Sequence, residues 1–448
     1  MPSMNWEKLL IQERLGDAEY VAEEHRPLHT QDADRIVFSE PFRRLANKTQ
    51  VHPLYEHDHI HHRLIHSVET SSVGRSLGLS IGHWLEKEKK VLPPQADKFT
   101  VGGTVQAACL AHDIGNPPFG HSGEDAISSW FEEYFEKQGR LSQVDDGIKK
   151  ELVKFEGNAQ GFRILTRLEM YKQNSGMRLS LPVLGSFQKY PARARTADFL
   201  GKERYVGLKK FGVFEDEWSI FAETAERIGL LVETSEHGSW YRRHPLVYLV
   251  EAADDICYEI VDLEDAFTSG DLDEDTVIDA LRPISGKNGE LQGDTPAAQI
   301  AYLRSISIGS AISACVAAFQ ENYEGIMQGE FNSSLIEASS LSEEFSRIHG
   351  LARKRIFTAR RKTELEVSGR SVIRRVLDSL LPLYEELSQR DWDTEKLGSH
   401  FQQVIRAIDL NLDLVDSNAT ALHSMADFVS GMTDRYAVRV SKQLSGIQ

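Results

Sequence analysis

A histidine and an aspartate stand side by side at His112–Asp113, where a helical pattern runs out. Val105, Ala108, Cys109 and His112 fall on one face at the three-to-four spacing of an amphipathic helix, and Gly115-Asn116-Pro117-Pro118 then forbids its continuation. His66 and Asp254 complete a set of two imidazoles and two carboxylates drawn from three helical segments. Such a mixed N/O set suits a divalent Mn, Mg, Co, Ni or Fe ion better than a structural zinc, which usually takes thiolates. An ion held there polarises phosphorus and generates hydroxide near neutral pH. Arg63, one turn before His66, has the fork geometry to hold a phosphate. His121 lies just before a helix expected to start at Ser122 with Asp125 as its capping-box partner, a place where an anion docks on free backbone N–H groups. There His121 could act as general acid toward a leaving oxygen, oriented by Glu124 or Asp125. Together these residues point to phosphate chemistry.

The positioning elements follow from periodicity. RLIHSVETSSVGRSLG predicts a helix with Arg63, His66, Thr70, Val73 and Leu77 on one face. A cation and a ligand-type histidine on one inward face are costly unless something anionic fills the space between elements. HPLVYLVEAADDICYEIVDLEDAF is the clearest helix in the chain, with Asp254, Tyr258 and Asp262 stacked at successive turns and Leu246, Val250 and Val261 nearby. On this pattern Asp255, Glu259 and Glu264 project elsewhere as ordinary surface charge. Residues 5–15 and 155–169 also read as helices, and Ile36, Val37, Phe38, Phe42 and Leu45 supply an apolar face within 32–48. Residues 171–245 are the least helical part, an inserted lobe with room for a short hairpin, and from about Asp271 helical patterns continue to the end. Strand-type alternation is nearly absent, so the class is mainly α. The expected organisation is an N-terminal helical arm at 1–30, a core at 31–270 carrying the lobe, and a C-terminal helical region at 271–448 packed on it.

Composition sets bounds. The chain has 448 residues, 41% of them apolar, and a net charge of −17. A surface so acidic repels nucleic acid and anionic membranes unless positive charge is concentrated locally, as at Arg193, Arg195, Lys209 and Lys210 or in LARKRIFTARRK at 351–362. No apolar run is expected to reach the about 18 residues of a membrane span. The start mixes Trp6, Leu9 and Leu10 with charge, unlike a signal peptide. Cys109, Cys257 and Cys315 are too few and too scattered for a disulfide scaffold, which suits a reducing cytoplasm.

The order H…HD…D resembles the HD-domain phosphohydrolases. DADRIVFSEPFRRLANKTQV, HRLIHSVE, AHDIGNPPFGHSGE, FEGNAQGFRIL, KKFGVF and EAADDICYEIVDLEDA resemble, more narrowly, the bacterial deoxyguanosine triphosphate triphosphohydrolases. This resemblance implies an HD helical core with His66, His112, Asp113 and Asp254 as metal ligands and His121 with Glu124 as the catalytic pair. It further implies Gln50 as a sugar-sensing residue, Tyr258 and Asp262 against the deoxyribose, and Arg63 and Asn116 near the phosphates. Lys209 or Lys210 and Lys354 are weaker phosphate candidates. The implied reaction converts a dNTP to deoxynucleoside and inorganic triphosphate, in a homo-oligomer, often a hexamer. The chain departs from the usual pattern at His61 and Ile65, where Arg and Thr are common, and no residue for reading the base stands out. Two other functions fit the same residues: hydrolysis of another nucleotide phosphoester, or a nucleotide- or single-stranded-DNA-responsive regulator that keeps the pocket.

Overall fold

The computed structural model describes residues 2–446 except 18–19, 21–22, 24, 50–61, 172–174 and 357–359. Gln50, His52, His57, His59 and His61 therefore lie outside the described residues. Among those described, the chain is helical with one two-stranded antiparallel sheet, Val232–Ser235 paired with Gly238–Tyr241, inside the expected lobe.

Two antiparallel helices form the centre, Arg63–Trp84 and Lys98–Ala111. Their closeness is a consequence of glycine: a Cβ on Gly74 would sit 2.4 Å from Cys109 Sγ, and one on Gly78 would sit 2.8 Å from the Gly102 Cα. Gly74, Gly78 and Gly82 recur every fourth residue, so the row of closest contact on this helix lacks side chains. The Val247–Ser269 helix packs across both and stops at Gly270, whose φ of 82° is the left-handed closure glycine favours. Arg63, His66, Thr70, Val73 and Leu77 are all buried, as the periodicity requires.

Two apolar clusters make the interior. One joins the three central helices to 272–356, and the other joins the His121–Glu136 helix to 373–440. Ile114 belongs to the first and Phe119 to the second, so the turn after His112 spans the seam between them.

Several local expectations are corrected. The first helix covers only Trp6–Leu9, not 5–15. Beyond it the chain pairs with 179–181 through Leu15 N–H to Leu179 O and Leu181 N–H to Glu13 O, drawn there by buried Arg14, which is ion-paired to Asp32 at 2.5 Å. Val37 and Phe38 point outward, because Ser39 caps a new helix, Glu40–Arg44, and breaks the face. Asp255, Glu259 and Glu264 are not surface charges: each is partly buried, Glu259 accepts from His349 at 2.8 Å, and Glu264 pairs with Arg304. The side of the helix they occupy is covered by the helices that follow residue 271. Pro296–Glu321 is long and apolar enough to cross a membrane by length and composition, with mean hydropathy 1.5 over its best window. Scattered serines and a glycine hide this run from simple inspection, and the helix lays Ile300, Leu303, Ala311, Cys315 and Phe319 into the first cluster.

Candidate active site

His66 projects from the first turn of its helix, His112 ends the Lys98–Ala111 helix, and Asp254 sits a third of the way along the Val247–Ser269 helix. Possible ligand atoms of these three residues lie within 4.8 Å of one another. The His66 Nε2 is 3.1 Å from Asp254 Oδ1, and the two imidazole rings meet edge to face at 5.2 Å. Nδ1 of His112 lies 2.7 Å from the Cys109 carbonyl, which can only accept, so this nitrogen carries the hydrogen. The His112 Nε2 lone pair then faces Asp113 Oδ1 and Asp254 Oδ1, each at 3.5 Å, and has no hydrogen-bond partner although it is buried. A lone pair set against two carboxylate oxygens is repulsive unless a cation lies between them, so the residues present fit a divalent ion. Without an ion, burial opposes charge on His112, yet Asp113 and Asp254 overcome it and raise its pKa to about 9, so the two carboxylates hold a proton at the position a divalent ion would take. Burial likewise opposes ionisation of Asp113, but Arg63, His112 and His66 bring it down to about 2.

Asp113 stands at the edge of this group. Its Oδ2 accepts from Arg63 Nη1 and its Oδ1 from Asn116 Nδ2, both at 2.5 Å, so the two phosphate candidates also fix this carboxylate.

His121 is the first residue of the His121–Glu136 helix, not the residue before it, and the expected capping box at Ser122 is absent. Gly120, at φ 60°, is the N-cap and makes no side-chain bond; its carbonyl takes the Glu124 N–H instead. Of the two possible orienting carboxylates, Glu124 is the one in place, its Oε2 2.8 Å from His121 Nδ1. The other oxygen of Glu124 accepts from the Gly157 N–H at 2.8 Å, which locks the pair. The His121 side chain is 83% exposed while Glu124 is buried, so the imidazole reaches into the cavity from a fixed base. The hydrogen bond to Glu124 raises the His121 pKa against desolvation.

These groups line a cavity of about 370 Å³. Arg63, His66, His112, Asp113, Asn116, His121, Glu124, Lys209, Lys210, Asp254 and Tyr258 all border it. Lys210 Nζ is held by Glu156 at 2.8 Å. Asp262 is buried one turn beyond Tyr258 and Lys354 is exposed in the Ser342–Arg355 helix; neither borders the cavity. Sequence reasoning missed Lys189 and Tyr190, which border the cavity beside Phe187 and Val250. Lys189 Nζ stands 3.6 Å from Glu251 Oε1 and 3.7 Å from Asp254 Oδ2. Extending the Asp254 face backward by one and two turns would have found Glu251 and Val247, but nothing in FQKYPARAR marks the lysine.

The helical bundle converges two histidines and an aspartate on one cavity, and residues 63–169 match the HD domain family. The chain is 37% identical to a deoxyguanosinetriphosphate triphosphohydrolase-like protein of Pseudomonas aeruginosa, over 99% of both chains. It is 36% identical to one of Synechocystis, over 99% of this chain and 100% of that one. It is also 30% identical to the deoxyguanosinetriphosphate triphosphohydrolase of Serratia proteamaculans, over 91% of each. The protein belongs to the deoxyguanosinetriphosphate triphosphohydrolase-like family of HD-domain hydrolases.

Proposed function

We propose that this cavity hydrolyses a deoxynucleoside triphosphate to the deoxynucleoside and inorganic triphosphate. The observation that carries the proposal is the order Glu251, Asp254, Tyr258 along one helix face, with Lys189 reaching its first two members from a neighbouring segment. Lys189 stands beside Glu251 and Asp254, while Tyr258 lies one turn, about 6 Å, on the other side of Asp254. Cationic groups for a polyphosphate and an aromatic wall for a sugar thus flank the proposed metal site. His66, His112, Asp113 and Asp254 would hold a divalent ion, which when bound neutralises phosphate oxygens and acidifies water.

The remaining work falls to the chain's own residues. Lys189, Lys209 and Lys210 bind the β- and γ-phosphates, and the charge of Arg63 steadies Asp113 beside the α-phosphate. A water oxygen adds to the α-phosphorus, its proton released to solvent, as the bond to O5′ breaks, and His121, protonated and aligned by Glu124, gives O5′ its proton. Lys354 has no place in this arrangement. The three cysteines are free and buried, consistent with a cytoplasmic protein, and assembly as a homo-oligomer is part of the proposal only as the sequence resemblance implies it.

Each dNTP, supplied with Mn or Mg and resolved by ion-exchange chromatography, tests the chemistry. Deoxynucleoside and triphosphate are expected; monophosphate with pyrophosphate would overturn the proposal in favour of another phosphoester hydrolase.

Sugar discrimination is the second expectation. Burial, then Asp262 and Glu259, push the Tyr258 phenol up, so it presents a neutral ring to the cavity. A 2′-hydroxyl against that ring loses its hydrogen bonds to water, at a cost of about 1–3 kcal/mol. GTP should therefore have kcat/KM about tenfold or more below dGTP, and Tyr258→Ala should narrow the gap. An unchanged ratio in Tyr258→Ala would clear the ring of this role.

A further inference from the structure

The turn that delivers His121 is held from the far end of the chain. Phe119 and Gly120 take consecutive left-handed conformations, φ 64° and 60°, which a residue bearing a Cβ rarely adopts. The Phe119 N–H donates to Asp434 Oδ1 at 3.0 Å. Its ring lies against Gly369, where a Cβ would come within 2.6 Å of the ring's Cγ. The second oxygen of Asp434 accepts from the Thr49 N–H at 3.1 Å and from the Thr49 hydroxyl. Asp434, 2% exposed, is the first residue of the Asp434–Leu444 helix. A parallel tie runs through Lys48, whose buried ammonium donates to the carbonyls of Asn116 at 2.6 Å and Ser430 at 2.8 Å.

We infer that Asp434 is a positioning residue: one buried carboxylate joins two walls of the cavity, Thr49 and Phe119, and holds the turn that aims His121. Thr49 and Phe119 border the cavity, whereas among its described lining residues none comes from the Asp434–Leu444 helix. The helix reaches the site through these bonds and through the charge of Asp434, which also acts on Arg63 and Lys48. Because Oδ1 serves Phe119 and Oδ2 serves Thr49, an amide in place of the carboxylate must turn its N–H₂ toward one of them, releasing that wall. The inference rests on the proposed dNTP hydrolysis for its kinetic consequence but not for its structural one, so two measurements separate them.

Asp434→Ala is examined by hydrogen exchange with mass spectrometry across residues 115–123 and by dGTP turnover beside the wild type. The amide of Phe119 should exchange at least about tenfold faster, and kcat should fall about tenfold or more, with KM changed less than about threefold and metal content retained. Should that variant fail to fold, Gly369→Ala, which leaves Asp434 in place and pushes on the Phe119 ring, is expected to lower kcat in the same way. Unchanged exchange in a folded Asp434→Ala protein overturns the inference, as does a defect confined to KM. Faster exchange alongside a wild type that does not turn over any dNTP would leave Asp434 as the holder of the turn and refute the proposed substrate instead.

Discussion

Asp254→Ala is expected to lose bound metal and turnover together while the protein stays folded. Oδ1 of Asp254 is the atom on which the Nε2 atoms of His66 and His112 converge, at 3.1 and 3.5 Å. Like Asp113, it is ionised: burial opposes its charge, but His112 and His66 hold it well below the usual carboxylate range. Removing it takes away both a donor and the negative charge that offsets a dication. Even groups that only orient a ligand cost about 10–100-fold in metal affinity or activity, so losing this one should exceed the upper figure. The fold should survive because the packing of the Val247–Ser269 helix comes from Ala252, Ala253, Ile256, Cys257 and Ile260, none of which changes. Metal content by mass spectrometry, helicity by circular dichroism and dGTP turnover decide it. Stoichiometric metal and full activity would remove Asp254 from the ligand set.

What was legible in the sequence divides along physical lines. Residues that share one helix were found together, because a period of 3.6 fixes which side chains are neighbours: Arg63 with His66, and Asp254 with Tyr258. That His66 and His112 meet required the family resemblance, since the Gly74, Gly78 and Gly82 stripe that permits it has meaning only once the facing helix is known. Lys189 escaped because it reaches the cavity from a short irregular segment with no period to betray it. Asp255, Glu259 and Glu264 depart from the sequence pattern for the converse reason. Charge on one side of an amphipathic helix ordinarily means solvent, but here His349 and Arg304 arrive from later helices to pair with it. The helix starts at His121, one residue before the position capping-box chemistry predicts, because Gly120, at positive φ, serves as the N-cap.

The largest effect on the chemical step is expected from His121. Its Nδ1 bond to Glu124 leaves Nε2 as the proton donor on the exposed side of the ring, in a cavity whose metal ligands it does not join. Loss of a general acid costs about 100-fold or more in turnover, so His121→Ala should show that fall in kcat with KM for dGTP little changed. The pH dependence carries a sign. The hydrogen bond to Glu124 comes first in raising the His121 pKa, and desolvation opposes it. The protonated imidazole is the working acid, so turnover should be sustained at lower pH and decline as pH rises through that raised pKa. Burial pushes the Glu124 carboxyl up, but the bond from His121 and the charges of His121 and Lys210 hold it below its ordinary value, so the partner stays anionic where the acid is active. Glu124→Gln keeps a hydrogen-bonding side chain but removes the charge. Its alkaline limb should therefore move to lower pH, toward ordinary histidine, while His121→Ala should show no such limb. A Glu124→Gln profile that coincides with wild type, or a His121→Ala defect confined to KM, would mean that this imidazole binds substrate and does not protonate the leaving oxygen.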